Sequence, residues 1–331
     1  MPDNPALQQG IDAYRGGDFA TALAIFVSLA GDNEPAAHYG LGLMHVAGHG
    51  VAADATRAAR FFEAAALQNF APAQLRLGLA CKTGNGVAKS PEAAQRWLER
   101  AALAGMPDAQ YELAVLFYAG VDIALDLAQA ARWMSAAAEQ DHPTAQFCLG
   151  YMYRKGEGVA QNDRQSVAWY RKASRAGVPA AQNNLGFMYE HGHGTTQSYD
   201  MAETCYRRAA AIGDREATAS LQALDALRGL ADEINALGDG DFSTLDAITS
   251  AGSGSGLNTV AGSANDHLWS QFCQLGWAGR HELPPMPQAP GVRLLQFKLT
   301  ETGHTNLFRF LPFVTRRPVR RYSLDVPATD A

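Results

Sequence analysis

The sequence is poor in the residues that enzymes and metal proteins usually cluster. Cysteine occurs four times in 331 residues, and Cys81, Cys148, Cys205 and Cys273 each stand alone. Isolated cysteines of this kind read as small buried hydrophobes in a reducing compartment. No apolar run approaches the roughly 20 residues needed to span a bilayer. The opening Met1-Pro2-Asp3-Asn4 has neither the basic start nor the apolar core of a secretory leader, so a cytoplasmic location is expected. There is no excess of positive charge: 27 basic residues face 33 acidic ones, a net charge of −6. Nothing therefore pulls the whole chain toward nucleic acid or an anionic membrane.

Catalytic signatures are missing as well. The sequence holds no G-x-S-x-G, no phosphate-binding P-loop and no H-E-x-x-H. Its glycine-rich segments recur with a period or form a Ser/Gly run, and none joins a strand to a helix as a phosphate cradle does. Histidines cluster at His45/His49 and His191/His193, at equivalent loops of two repeats separated by three others. No cysteine or carboxylate joins either pair at ligand spacing. The position of His49 and His193 is Asn85 or Glu157 elsewhere, which reads as a generic exposed site. No enzyme, metal or cofactor is expected.

What the chain has is repetition. Residues 143–178 match 179–214 after a shift of 36, and matching segments precede them at 107–142, 71–106 and 35–70. A fixed period of this length marks a solenoid of helix pairs. In the first helix of each unit, Ala145, Leu149 and Tyr153 recur at four-residue spacing and share one face, as do Ala181, Leu185 and Tyr189. A glycine follows the leucine at Gly42, Gly78, Gly150 and Gly186. Glycine costs about 1 kcal/mol in a helix relative to alanine, so its recurrence predicts close approach of a neighbouring helix. The loop reads Gly156-Glu157-Gly158-Val159, and the second helix presents Ser166, Trp169, Tyr170, Ala173 and Ser174, with a large aromatic expected to fill the space left by the alanines. Gly105, Gly177 and Gly213 close second helices, and Pro35, Pro107, Pro143 and Pro179 open units.

The pattern A-x-x-x-L-G-x-x-Y-x-x-G-x-G-V followed by A-x-x-W-Y-x-x-A resembles the Sel-one-like repeat family, relatives of the tetratricopeptide repeats. The resemblance implies a mainly α, right-handed α-solenoid and a scaffolding role toward protein partners. Extracytoplasmic members of the family often carry paired cysteines, which this chain lacks. Two units depart from the pattern: 107–142 has Gly120-Val121-Asp122 in its loop, and 179–214 has Thr195 for the valine and Cys205 for the tryptophan.

In order, residues 4–34 form a shorter, atypical first unit, and the five regular units follow. Residues 215–237, with Leu221, Leu224, Leu227 and Leu230 in a stripe, read as a capping helix. From 238 to 314 the period is lost. Short helices are expected over 242–251, 265–277 and 304–311. Residues 251–256 read as a Ser/Gly linker, Glu282 to Pro287 as a turn and 292–299 as a strand. That order suggests a small α+β domain resembling a winged helix with a two-stranded wing. Residues 315–331 form a basic tail.

Two surfaces are candidates for function. First helices line the concave side of tetratricopeptide-like solenoids, and their outward positions hold Tyr39, Tyr111, Tyr118, Phe147, Tyr151, Arg154, Asn183 and Phe187. Aromatics interleaved with polar groups suit a groove for a peptide or protein partner. Residues Leu43, Leu79 and Val115, in one column with Tyr151 and Phe187, compete for the role of inter-unit packing. The alternative is a DNA-associated regulator using Asn265, His267 and Gln271 of the 265–277 helix with Arg316, Arg317, Arg320 and Arg321. Residues 231–331 carry 8 basic against 10 acidic residues. Phosphate contacts dominate DNA affinity, so that balance argues against a strong DNA binder.

Overall fold

A computed structural model describes residues 4–121, 123–235, 256–260, 278–282 and 294–299, with side chains through 226. The chain divides into two units, Met1–Thr218 and Ala219–Ala331.

The first unit is a stack of antiparallel helix pairs in chain order. The shorter opening pair is α1 (Pro5–Arg15) and α2 (Phe19–Gly31). Five regular pairs follow: α3 (Pro35–Ala47) with α4 (Ala55–Ala66), α5 (Ala71–Thr83) with α6 (Pro91–Leu103), and α7 (Pro107–Ala119) with α8 (Leu127–Glu139). Then come α9 (Pro143–Lys155) with α10 (Asp163–Arg175) and α11 (Pro179–His191) with α12 (Tyr199–Ala211). The next helix, α13 (Arg215–Asn235), starts where a further first helix belongs.

Local chemistry sets the boundaries. Every regular second helix is capped by a short polar side chain accepting a backbone N–H from the first turn: Asp54 from Arg57, Ser90 from Ala93, Asp126 from Gln129, Asn162 from Gln165 and Ser198 from Met201. The first helices of the regular units end on a glycine in the left-handed conformation, such as Gly156 at φ 73°. The second loop glycine does more. A Cβ on Gly158 would run into the carbonyl of Leu127, the first residue of the preceding unit's second helix. Gly86 and Gly194 meet Ala55 and Asp163 in the same way, so the loop is itself a contact between units. The equivalent residue of unit 107–142 is Asp122, which lies outside the described residues. At the turns between units, Asn33, Asn69 and Asp141 adopt the positive φ that Gly105, Gly177 and Gly213 supply elsewhere.

The core confirms the expected face: Ala145 and Leu149 are buried, and Tyr153 is half-buried. Close approach at the helical glycines is also confirmed. The partner is the residue after the tryptophan position. A Cβ on Gly150 would lie 2.8 Å from the Tyr170 ring, one on Gly186 2.6 Å from Tyr206, and one on Gly78 2.8 Å from Leu98. Trp97 and Trp169 sit half-buried beside this seam, and Trp133 is buried. In unit 107–142 the glycine is replaced by Ala114, and the facing residue is Met134, an unbranched side chain that makes room for the extra methyl.

In the second unit β1 (Gly256–Val260), β2 (Ala278–Glu282) and β3 (Leu294–Leu299) form an antiparallel sheet in the order β1-β3-β2. β3 covers residues 294–299 of the strand expected over 292–299, and it pairs with both other strands. β1 begins at Gly256, the last residue of the expected Ser/Gly linker, and Glu282, expected to open a turn, ends β2. The expected helices at 242–251, 265–277 and 304–311, the basic tail and the DNA-reading residues named above lie outside the described residues.

Candidate functional site

The first helices present one side chain per turn toward the junction with the next unit, and those side chains decide whether that junction is filled. Clefts open at junctions between units. Between units 107–142 and 143–178 an apolar pocket of about 300 Å³ is lined by Val115 and Tyr118 of α7, Met134 of α8, and Phe147, Cys148, Tyr151 and Met152 of α9. Between units 35–70 and 71–106 a second cleft of about 300 Å³ includes Val46, Phe62, Arg76, Leu79 and Ala80. Val46, Phe62, Arg76, Leu79 and Ala80 occupy the repeat positions of Tyr118, Met134, Cys148, Tyr151 and Met152, so the two clefts are the same site two units apart.

The junction between them, and the one after unit 143–178, are crossed by contacts from the same positions. Lys82, at the position of Val46 and Tyr118, reaches Glu112 of the next unit at 2.8 Å, with both side chains largely shielded. Arg154, again at that position, lies over the Phe187 ring at 4.5 Å. Asn184, at the position of Cys148, donates to the Tyr170 hydroxyl at 3.2 Å.

The pocket between α7 and α9 gathers three of the residues singled out in the sequence: Tyr118, Phe147 and Tyr151. The Tyr118 hydroxyl donates to Glu157 at 2.6 Å. That bond, followed by burial, pushes its pKa up to about 12. Cys148, in the pocket wall, is pushed up to about 11 by burial, so its thiol stays protonated and apolar at neutral pH. Lys155 lies 5.9 Å from the Tyr151 ring. Val121 and Leu125, in the loop that departs from the repeat pattern, are 82% and 60% exposed just beyond Tyr118.

The remaining candidates are dispersed. Arg154 and Phe187 form the next junction. Tyr111 stacks on His142 at 4.8 Å. Tyr39 packs against Phe62 and Phe70. Asn183 donates to Glu216 at 3.4 Å. The competing column of Leu43, Leu79, Val115, Tyr151 and Phe187 is half-buried throughout, so it packs and faces out at once.

Histidines take structural positions. His49 stacks on Phe19 at 4.2 Å and pairs with the Tyr14 hydroxyl at 3.2 Å, which corrects its reading as a generic exposed site. His191 and His193 stack on Phe187. Among the described residues no group of three or more His, Cys, Asp or Glu could hold a metal ion. No helix among them is long and apolar enough to cross a membrane.

A polar ladder escaped the sequence reading. Gln74, Gln110, Gln146 and Gln182 are buried in the first helices, and each donates to a carbonyl at the end of the preceding second helix: Ala66, Ala102, Ala138 and Ser174. Its signal was a glutamine in one column of four consecutive units, with His38 in the fifth.

The Sel1 repeat family model matches residues 35–70, 71–106, 107–142, 143–178 and 179–214, more than half of the chain. Among solved structures, a Sel1 repeat protein from Oxalobacter formigenes is 27% identical, with a TM-score of 0.60 over 66% of this chain and 87% of that one. The protective antigen c5321 of uropathogenic Escherichia coli, described as displaying an SLR fold, is 28% identical with a TM-score of 0.64. The match covers 82% of this chain and spans 61% of the length of c5321. No curated protein matches the sequence.

Proposed function

This chain belongs to the Sel1 repeat family, and we propose that it is a non-enzymatic adaptor that binds a peptide or protein partner on the face built by its first helices. Sel1 repeat proteins are generally protein-interaction adaptors. The observation that carries the reading is the apolar pocket formed by Val115, Tyr118, Phe147 and Tyr151. Tyrosine and phenylalanine around a concave apolar site suit anchor side chains of a partner. Free Cys81, Cys148 and Cys205 suit a reducing compartment.

Photo-crosslinking in the native host tests this reading. A photoreactive residue replaces Tyr118 or Tyr151 on the proposed face, or exposed Ala168 on a second helix. The first two positions are expected to trap the same protein and the third to trap none. Crosslinks from position 168 alone would move the working surface to the second helices.

A further inference from the structure

We propose that the first two units, residues 4–70, are an acid-sensitive end of the solenoid that opens while 71–211 stays folded, with His38 as the trigger. This device stands apart from the adaptor reading and does not depend on it. Three of the chain's nine histidines fall in unit 35–70: His38 and His45 on α3, and His49 in the loop after it.

His38 stands where the other regular units carry the ladder glutamine, and its Nδ1 is buried without a hydrogen-bond partner. A neutral ring tolerates this by carrying its proton on Nε2. A charged ring must carry protons on both nitrogens, one of them where nothing accepts it. Neither Asp32 nor Glu34 pairs with the ring, and Glu34 accepts from the Ala36 N–H at 3.4 Å. From the packed elements, α2 has no charged side chain, and α4 offers the Phe61 ring at 6.2 Å, with Arg57, Arg60 and Glu63 exposed. Burial holds the His38 pKa below the ordinary histidine value. The stability tied to its neutral form is therefore full above about 6.5 and is lost as pH falls through the lower, folded value.

The other two rings of the unit are also packed. His45, 7% exposed, stacks on the same Phe61 at 5.5 Å and donates from Nδ1 to the Ala52 carbonyl at 3.3 Å. The carboxylate on its side, Asp54, is already held by the Arg57 N–H and guanidinium. His49 meets Tyr14 and Phe19, beside which Asp18 accepts from the Thr21 N–H.

Packing supplies a place to part. Ala22, Phe26, Ala37, Leu41 and Met44 form a small core of their own, apart from the one that holds residues from Ala58 to Met152. Phe61, on which both rings lie, leans on the small core, while Phe62 belongs to the large one. A small separate core is a unit that can open locally. Farther along the solenoid a charged ring is better met: His193 lies 3.9 Å from Asp163, and His142 lies 3.5 Å from Asp108. A charged His142 gives up its cap on Ala145, a loss at the first turn of α9. Opening of 4–70 would dismantle the cleft that includes Val46 and Phe62 and leave the Tyr118 pocket standing.

Hydrogen–deuterium exchange of the full chain, read by mass spectrometry from about pH 7.5 to about pH 5 and corrected for intrinsic exchange, tests this. Peptides from 4–66 are expected to lose protection as pH falls, and peptides from 71–211 to keep it. His38→Gln, the residue of the other units, should bond the Ala30 carbonyl as Gln74 bonds Ala66. It is expected to keep 4–66 protected at the acid end and to leave exchange at neutral pH unchanged. Should that variant fail to fold, an NMR titration of the native chain decides: a His38 midpoint at or above the ordinary histidine value would rule out the trigger, and a lower one supports it. Loss of protection spread evenly over 4–211, or protection kept throughout, would overturn the device. Acid loss that persists in His38→Gln would remove His38 from it.

Discussion

Units 143–178 and 107–142 share a fold and differ in how they achieve it. The first is regular: Gly150 lets Tyr170 pack flush, and Gly158 rests its loop on the Leu127 carbonyl. The second replaces the helical glycine by Ala114 opposite Met134, and its loop leaves Val121 and Leu125 exposed. A tight seam built from glycine and a rigid ring becomes a looser one built from alanine and a flexible thioether. The departures of unit 107–142 lie in the same unit whose Val115, Tyr118 and Met134 form one wall of the apolar pocket. The second cleft, between units 35–70 and 71–106, shows that regular units can also leave a gap at their junction.

The sharpest way to break the comparison is Gly158→Ala. It adds a Cβ against backbone at φ 70°, where neither the loop nor the Leu127 carbonyl can yield by rotating a side chain. Thermal or urea unfolding should show a loss of about 3 kcal/mol. Next, Gly150→Ala should cost about 2 kcal/mol by overpacking the buried Tyr170 ring. Gly150→Ala with Tyr170→Met grafts the Ala114–Met134 solution. A double-mutant cycle should then return a favourable coupling of about 1 kcal/mol. Additivity in that cycle would mean that the two seams are not alternative solutions to one problem.

Smaller effects probe the junctions. Lys82→Ala removes one partner of a partly shielded ion pair and should cost about 1 kcal/mol or less in urea unfolding, the upper end for such pairs. It should also open a cleft beside Glu112. The smallest effect is a titration. Because the Tyr118 pKa is raised to about 12, the folded state keeps a proton that the unfolded chain releases near pH 10. Any stability from this bond is fully present below pH 10 and is lost as pH rises through about 12. Ultraviolet difference titration of the native chain against Tyr118→Phe should place this phenol near pH 12, and Glu157→Gln should bring it down toward 10. An ordinary midpoint in the native chain would mean the Tyr118–Glu157 bond does not form in solution.

Legibility in the sequence follows from how contacts are arranged. In a solenoid each unit touches its neighbours, so a column in the repeat is also a line in space. That is why Ala145, Leu149 and Gly150 could be read directly. The glutamine ladder was missed because attention to apolar columns passes over a polar residue buried to satisfy a helix end. The alternation of junctions was missed because it lies in pairs across units: Lys82 means little until Glu112, thirty residues on, is seen to meet it. Pocket residues Tyr118, Phe147 and Tyr151 were named, while Cys148 and Met134 were not, because a well is made by what surrounds a gap. In the second unit no period exists. The strand at 294–299 shows in its own apolar run, but β1 lies beside a Gly/Ser stretch and gains its identity from β3, some forty residues away in the chain.

Alternation of open and crossed junctions also bears on how such a chain can grow or shrink. Removing residues 71–106 alone would place Glu112 against Val46, a carboxylate at the mouth of an apolar cleft. Removing 71–142 would place Cys148 there and leave an apolar junction intact. For this surface the coherent step of duplication or loss is two repeats. A family of descendants differing by pairs of units would keep the clefts in phase, whereas an odd change would scramble them.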